Sequence, residues 1–511
     1  MFLNLPRAGD IWWMDASRHA LNGAFVLDFL RAMPLHDPQG FALEYYRQYP
    51  ALTILFYPPL FYGFLAVAYA VFGVSESSAL MVELCFVYAL AWGGFRLARH
   101  FLPPLPAFCA GLLLIATPGV FFWGQQVMLD VPAFCFLLWS MIFYLRFNAD
   151  NRPRDIVLCA ILAVLAIYTK YNAAFFAGVL GIAMLQRGQL WPGRKTLGPI
   201  LIALAVAGLM MLPLAAIFLK FSAYNLGQAV SAEDAVAGRW SVAGLSYYAR
   251  ILPELITWPV LALALAAPVL CRGRLPRDGG ILVVWLLLGY AFYSMIAVKE
   301  PRHFLFVIFP LIVAALLAIA VLPVPKFLRA GGCVALVAGV FGFSFTTAQP
   351  FHVTGMRQAA MSVAAAAPQE CNIGFWGRLD GTFIFAMRAY THRPDLGVVR
   401  MDKLLFSDVA VSFERGFTDN RLTPERIIDQ VRALHMQFIV AQSDYEADTP
   451  SVAAMQAALH SDKFQEIGRF PMVSNGKLTH LNDLVLYRFL EPLPPGRVAP
   501  AMQLKLIGKQ I

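Results

Sequence analysis

The sequence predicts a polytopic α-helical membrane protein with a C-terminal soluble α/β domain. Three observations carry that expectation. The chain is 59% hydrophobic and only 14% charged, with mean hydropathy +0.63, whereas soluble domains average roughly 45–50% apolar and about 25% charged. The apolar excess sits in blocks of about 17–25 residues, the length that crosses a hydrocarbon core. From about residue 350 the blocks give way to ordinary alternation of polar and apolar residues. The expected division is therefore a membrane body over 1–349 and a separate domain over 350–511.

Taken in order, the candidate spans fall near 77–98, 105–123, 130–147, 155–170, 172–187, 197–219, 247–270, 279–298, 302–323 and 327–347. Basic residues punctuate every second connection: Arg96, Arg99 and His100; Arg146, Arg152 and Arg154; Arg187, Arg194 and Lys195; Arg272, Arg274 and Arg277; Lys326 and Arg329. Lys and Arg accumulate in cytoplasmic loops, so these connections are expected to face the cytoplasm. This use of the charge, together with the net +9 being spread over loops, argues against a nucleic-acid partner. The seven cysteines have no CxxC or metal-like spacing. They read as small buried hydrophobes without a disulfide framework. The start of the chain lacks a charged segment followed by an apolar core, so no signal peptide is expected.

The block 51–73 is long enough to span but carries Pro58-Pro59 near its start. Proline removes a backbone donor and interrupts a helix. The block is therefore expected to dip into the membrane or lie along it, within a juxtamembrane segment over 20–75. Asp15 then falls outside, together with Asp130, Lys170, the loop 220–246 and the run Lys299-Glu300-Pro301-Arg302-His303. Ionisable groups at span ends on one membrane face point to a shared polar cavity. Each has a plainer alternative. Asp15 and Asp130 are also suited to helix starts, Lys170 to reaching the interface, and Arg302 to pairing with Glu300. His303 and Tyr57 also suit an interfacial aromatic belt.

Beyond residue 350, strands are expected at 372–376, 397–401, 438–441 and 484–487, with helices near 379–391, 424–435 and 450–460. Thr423-Pro424-Glu425 is a helix-start pattern. Strands alternating with helices predict a mostly parallel sheet.

Five segments, in order, carry a family resemblance. They are Trp13-Met14-Asp15-Ala16; Tyr57-Pro58-Pro59-Leu60 with Phe72-Gly73-Val74-Ser75-Glu76; Gln126-Val127-Met128-Leu129-Asp130; Tyr168-Thr169-Lys170; and Pro301-Arg302-His303-Phe304. Over residues 10–330 they resemble the GT-C superfamily of membrane glycosyltransferases, in the branch of the protein O-mannosyltransferases and the bacterial aminoarabinose transferase of lipid A.

The resemblance implies an inverting transfer from a polyprenyl-phosphate sugar to a lipid, glycan or protein acceptor outside the cytoplasm, at the bacterial inner membrane. It implies Asp15 as general base, and Asp130, Lys170, Arg302, His303 and Tyr57 as substrate-binding residues. Three departures stand out. Family members usually carry a span before the first acidic loop, whereas Met1 stands almost inside that loop, which suggests a shortened or misplaced start. The acidic motif is often Asp-Glu; Ala16 here removes a carboxylate and so weakens the case for a divalent cation, which stays open as a cofactor with no metal ligands assigned. The residue before Pro-Pro is often basic, and here it is Tyr57. The competing reading is a transporter or lipid-carrier flippase, against which stand the absence of a repeated half and the position of the ionisable residues at span ends.

Overall fold

A computed structural model describes residues 9–54, 56–231, 240–273, 276, 278–407, 417–443, 445, 448–476, 482–498, 503–504 and 509–510. Arg274, Arg277 and residues 232–239 of the expected loop 220–246 lie outside the described residues. The chain forms two compact units, one built on Leu80–Pro350 with Ile54–Phe61, the other on Phe351–Ile511 with Pro6–Thr53 and Tyr62–Ala79.

The chain opens with a short strand β1 (Asp10–Ile11) and helices α1 (Met14–Ala32), α2 (Pro38–Gln48) and α3 (Leu60–Phe72). The Asp37 carboxylate caps α2 by accepting from the Gly40 N–H at 2.8 Å, and Pro38 follows at the first helical position. The block 51–73 is divided: its described residues up to Pro59 are irregular, and only the 13 residues of α3 are helical. At 1.5 Å per residue that helix is about 20 Å long, short of the roughly 30 Å core of a bilayer.

The first unit is helical. Its elements are α4 (Glu76–Ala98, which enters from the other unit), α5 (Pro104–Ala116), α6 (Pro118–Trp123), α7 (Asp130–Asp150), α8 (Pro153–Thr169), α9 (Phe175–Gln186), α10 (Leu197–Ser231), α11 (Val242–Ile256), α12 (Trp258–Leu270), α13 (Gly280–Met295), α14 (Phe309–Ala320) and α15 (Lys326–Thr347). Every expected apolar block holds a helix or a helix pair. Four described helices, α4, α7, α10 and α15, are long and apolar enough to cross a membrane, or up to six if α11–α12 and the 3₁₀ turn Pro301–Val307 with α14 each count as one bent span. Proline and 3₁₀ turns shorten the rest. Pro118 starts α6 directly after α5, and Lys170 ends α8 in extended backbone before the turn Tyr171–Ala174. One boundary is corrected: α10 continues to Ser231, well into the expected loop 220–246. Leu201, Leu204, Leu209 and Leu212 on α10, and Phe327, Phe341 and Phe345 on α15, are left uncovered by protein, as lipid-facing side chains are. The cysteines are all free, with Cys85 exposed and Cys271 partly covered, and the other five buried.

The second unit closes around a five-stranded sheet. After β2 (His352–Val353), which pairs with β1, come α16 (Met356–Ala366), β3 (Cys371–Trp376), α17 (Asp380–Tyr390), β4 (Leu396–Arg400), α18 (Asp402–Leu405), β5 (Phe406–Ser407), β6 (Thr418–Asp419), α19 (Pro424–Ala433), β7 (Met436–Gln442), α20 (Pro450–Leu459), β8 (Phe464–Phe470) and β9 (Leu484–Phe489). The sheet order is β4-β3-β7-β9-β8. The four expected strands are β3, β4, β7 and β9, but the sheet is mixed rather than mostly parallel: β4, β3 and β7 run parallel, while β9 and β8 are antiparallel. No described helix separates β8 from β9, and a parallel return needs a crossover. Thr423 caps α19 as its motif suggested, and Ile427 and Val431 turn its apolar face into the core beside Val452, Met455 and Ile439.

Candidate functional site

Four of the expected site residues are charged or aromatic groups of the first unit's interior. Asp130 occupies the first helical position of α7 and is fully buried. Its carboxylate does not cap the helix; instead Lys170 Nζ donates to Asp130 Oδ1 at 2.5 Å. Lys170 reaches it because α7 and α8 pack along their length and the chain turns to extended backbone at Lys170, which aims the side chain back across the helix pair. Only 6% of Lys170 is exposed, so the ammonium points inward rather than to an interface.

Arg302 lies in the 3₁₀ turn Pro301–Val307, pairs with Glu300 and sets its guanidinium 5.5 Å from the centre of the Trp123 ring. Arg302 is buried, while Glu300 is partly exposed. His303 stacks with Tyr293, ring centres 6.5 Å apart, and Tyr293 donates through its hydroxyl to Asn172 O, in the turn beyond Lys170. Tyr57 is half-buried in the irregular stretch before α3.

One residue here was not expected. Glu83 is fully buried on α4, close enough to Asp130 for their charges to interact. A lone carboxylate inside the apolar block 77–98 was the available signal, because ionisable residues in spans are rarely idle. Lys299, expected to face a polar cavity, instead donates to the carbonyls of Ser294 and Ile296 at 2.5 and 2.7 Å, closing the end of α13.

Asp15 belongs to the second unit, half-buried in the first turn of α1. Arg18 and His19, which the sequence did not single out as site residues, are buried one turn on. His19 Nδ1 lies 3.0 Å from the Tyr62 hydroxyl, and Arg18 Nη2 donates to both Asp380 oxygens at 2.9 and 3.2 Å. Asp380 begins α17 and also meets Arg400 Nε at 3.1 Å. Burial alone raises the Asp380 carboxyl, but the Arg18 and Arg400 guanidiniums and the Gly381 N–H overcome it and hold it below its ordinary 3.8. Nearby, burial and the Arg400 charge push the Lys403 ammonium down to about 8. A small open depression lies at the C-terminal ends of β3 and β4, between Met14, Trp376, Arg378, Arg400, Asp402 and Tyr445. Among the described residues, no three His, Cys, Asp or Glu side chains gather as metal ligands.

Residues 57–216 match the family model described as dolichyl-phosphate-mannose-protein mannosyltransferase. The structure of ArnT from Cupriavidus metallidurans bound to undecaprenyl phosphate superposes with TM-score 0.62 at 15% identity, covering 97% of each chain. The fold is that of the GT-C membrane glycosyltransferases. The apo form of ArnT from Cupriavidus metallidurans superposes equally, at 16% identity over 95% of each chain. The arabinofuranosyltransferase AftD from Mycobacteria gives TM-score 0.51 at 15% identity, covering 83% of this chain and 34% of that one. No curated protein sequence matches. The match and the fold agree with the resemblance to the GT-C glycosyltransferases, a membrane-protein fold, and four to six described helices or bent pairs are long and apolar enough to cross a membrane.

Proposed function

We propose that this GT-C chain transfers a glycosyl group from a polyprenyl-phosphate-linked sugar to an acceptor hydroxyl on the extracytoplasmic face of a bacterial inner membrane, with inversion at the anomeric carbon. The observation that carries this reading is the buried Asp130–Lys170 ion pair, with Arg302 also buried in the same unit and paired with Glu300, in a fold whose relative ArnT was solved with undecaprenyl phosphate bound.

The Asp15 carboxylate takes the proton of the acceptor hydroxyl as its oxygen attacks the anomeric carbon. The bond from that carbon to the phosphate oxygen breaks, its electron pair leaves with the phosphate, and polyprenyl phosphate departs. Phosphate is a good leaving group, so fixed cations serve it better than a strong acid. Arg302 offers a planar fork for two phosphate oxygens and Lys170 a compact charge. Asp130 holds the Lys170 ammonium in one position, which removes the entropy of ordering it when donor arrives. His303 and Tyr57 supply further hydrogen bonds. The depression beside Met14, with charged and aromatic walls, offers polar groups to an acceptor approaching the first turn of α1.

The test is release of polyprenyl phosphate by the purified chain from a panel of undecaprenyl-phosphate pentoses and hexoses, for wild type and a folded Asp15→Asn variant. Loss of a general base costs about 10²–10⁴-fold. Undiminished turnover in the variant overturns the assignment of Asp15. Movement of the lipid carrier across vesicles without sugar transfer favours the flippase reading.

A further inference from the structure

Asp15 stands in the first turn of α1, where the Ser17 hydroxyl donates to Met14 O at 2.9 Å. The first turn of a helix leaves four N–H groups without intrahelical partners, so ties to neighbouring elements bear on how it is held. α17 supplies such ties. The Thr382 hydroxyl donates to Ile11 O at 2.7 Å, just ahead of the helix. Arg18, three residues beyond Asp15 and so one turn away along the helix, is tied to Asp380. Asp380 is tied to Arg400, and Arg400 is held in turn by Asp402 through two bonds of 3.1 and 2.6 Å.

A second tie sits at the far end of the same two helices, with the charges exchanged. Arg388, near the end of α17, grips Asp28, near the end of α1, through Nε at 2.8 Å and Nη2 at 2.6 Å. Both pairs are largely buried. Between the starts of the helices the approach is close: a Cβ on Gly381 would come 2.5 Å from Ser17 Oγ. A helix pair with an Arg–Asp tie at one end and an Asp–Arg tie at the other has one register that satisfies both.

We propose that Arg18, Asp28, Asp380, Arg388 and Arg400 are positioning residues. They use α17 of the C-terminal domain as a splint that fixes the register of α1 and with it the direction of the Asp15 carboxylate. The C-terminal domain then serves the reaction without touching the donor. A general base works only within hydrogen-bond reach of its proton, and a displacement of about 1 Å costs roughly a hundredfold. This inference rests on the reading of Asp15 as base.

The experiment cycles the far tie, which is remote in sequence from Asp15, in the full-length protein in nanodiscs. Tyr45 also donates to Asp28, so all variants carry Tyr45→Phe. Arg388→Asp, Asp28→Arg and the exchanged pair Asp28→Arg/Arg388→Asp are compared by amide hydrogen exchange across Met14–Ala24 and by release of undecaprenyl phosphate from the sugar-donor panel. Each single reversal is expected to speed exchange in α1 at least about tenfold and to lower kcat by about tenfold or more with donor KM within about twofold. The exchanged pair restores both. Wild-type exchange in the single variants overturns the proposal, and so does an exchanged pair as fast-exchanging as they are. Asp15→Asn runs alongside: wild-type turnover there removes Asp15 as base, while the exchange arm still decides whether α17 holds α1.

Discussion

Lys170→Met removes one end of the ion pair at the heart of the candidate site. The Nζ–Oδ1 separation is 2.5 Å, with Lys170 6% exposed and Asp130 fully buried. At an effective dielectric near 20 such a pair attracts by roughly 7 kcal/mol. Desolvation of the two charges offsets much of that attraction, but truncating one partner strands the other, and the measured cost of doing so is about 3–5 kcal/mol. The expectation is therefore a loss of about 4 kcal/mol in apparent unfolding free energy, followed by tryptophan fluorescence in mixed micelles. Asp130→Asn added to Lys170→Met removes the stranded charge and should recover about half of it, so that the double variant loses about 2 kcal/mol, well below the sum of the two single losses. Binding of radiolabelled undecaprenyl phosphate separates architecture from function. If Lys170 meets the phosphate, the double variant stays at least about tenfold weaker in affinity, about 1.4 kcal/mol, although its stability has returned. Strictly additive stability losses would refute the coupling. Recovery of binding together with stability would refute the role of Lys170 as a phosphate ligand.

Three further outcomes follow from the second unit. Gly381→Ala forces a Cβ to within 2.5 Å of Ser17 Oγ and should destabilise by about 1–3 kcal/mol, with Ser17→Gly on the other helix giving most of it back in thermal denaturation. Asp380 is held below its ordinary 3.8, so its contribution is present above that value and lost as pH falls through the lowered one; the stability gap between wild type and Asp380→Asn should be constant from neutral pH down to the carboxylate range and close below it. Lys403 is pushed down to about 8 from 10.5, so its charge opposes folding below about 8 and that opposition fades as pH rises towards 10.5. NMR of the reductively ¹³C-methylated protein should find one resonance, lost in Lys403→Gln, titrating near 8, and a midpoint above 10 would refute the cause assigned to it.

The helices and strands were legible for a physical reason. Backbone polar groups in hydrocarbon must be satisfied within their own segment, so each long apolar block had to be helical, and the blocks around α4, α7 and α15 read almost residue for residue. In the C-terminal domain the short apolar runs between turn residues located β3, β4, β7 and β9. Strand direction was not legible in the same way, because a strand's own pattern says nothing about its neighbours' sense, and β8 and β9 turned out antiparallel.

Motif order identified Asp130, Lys170 and Arg302 as candidates, but their partners are set by distance in space. Residues 130 and 170 face one another only because α7 and α8 pack as a pair, and Glu83 joins them from a third helix as a carboxylate that local pattern marks merely as out of place. The same holds more strongly for Arg18 and Asp380, 362 residues apart along the chain. Local sequence governs which backbone hydrogen bonds a segment makes with itself. A buried charge has no such local partner, and only the folded chain supplies the one that makes its burial tolerable.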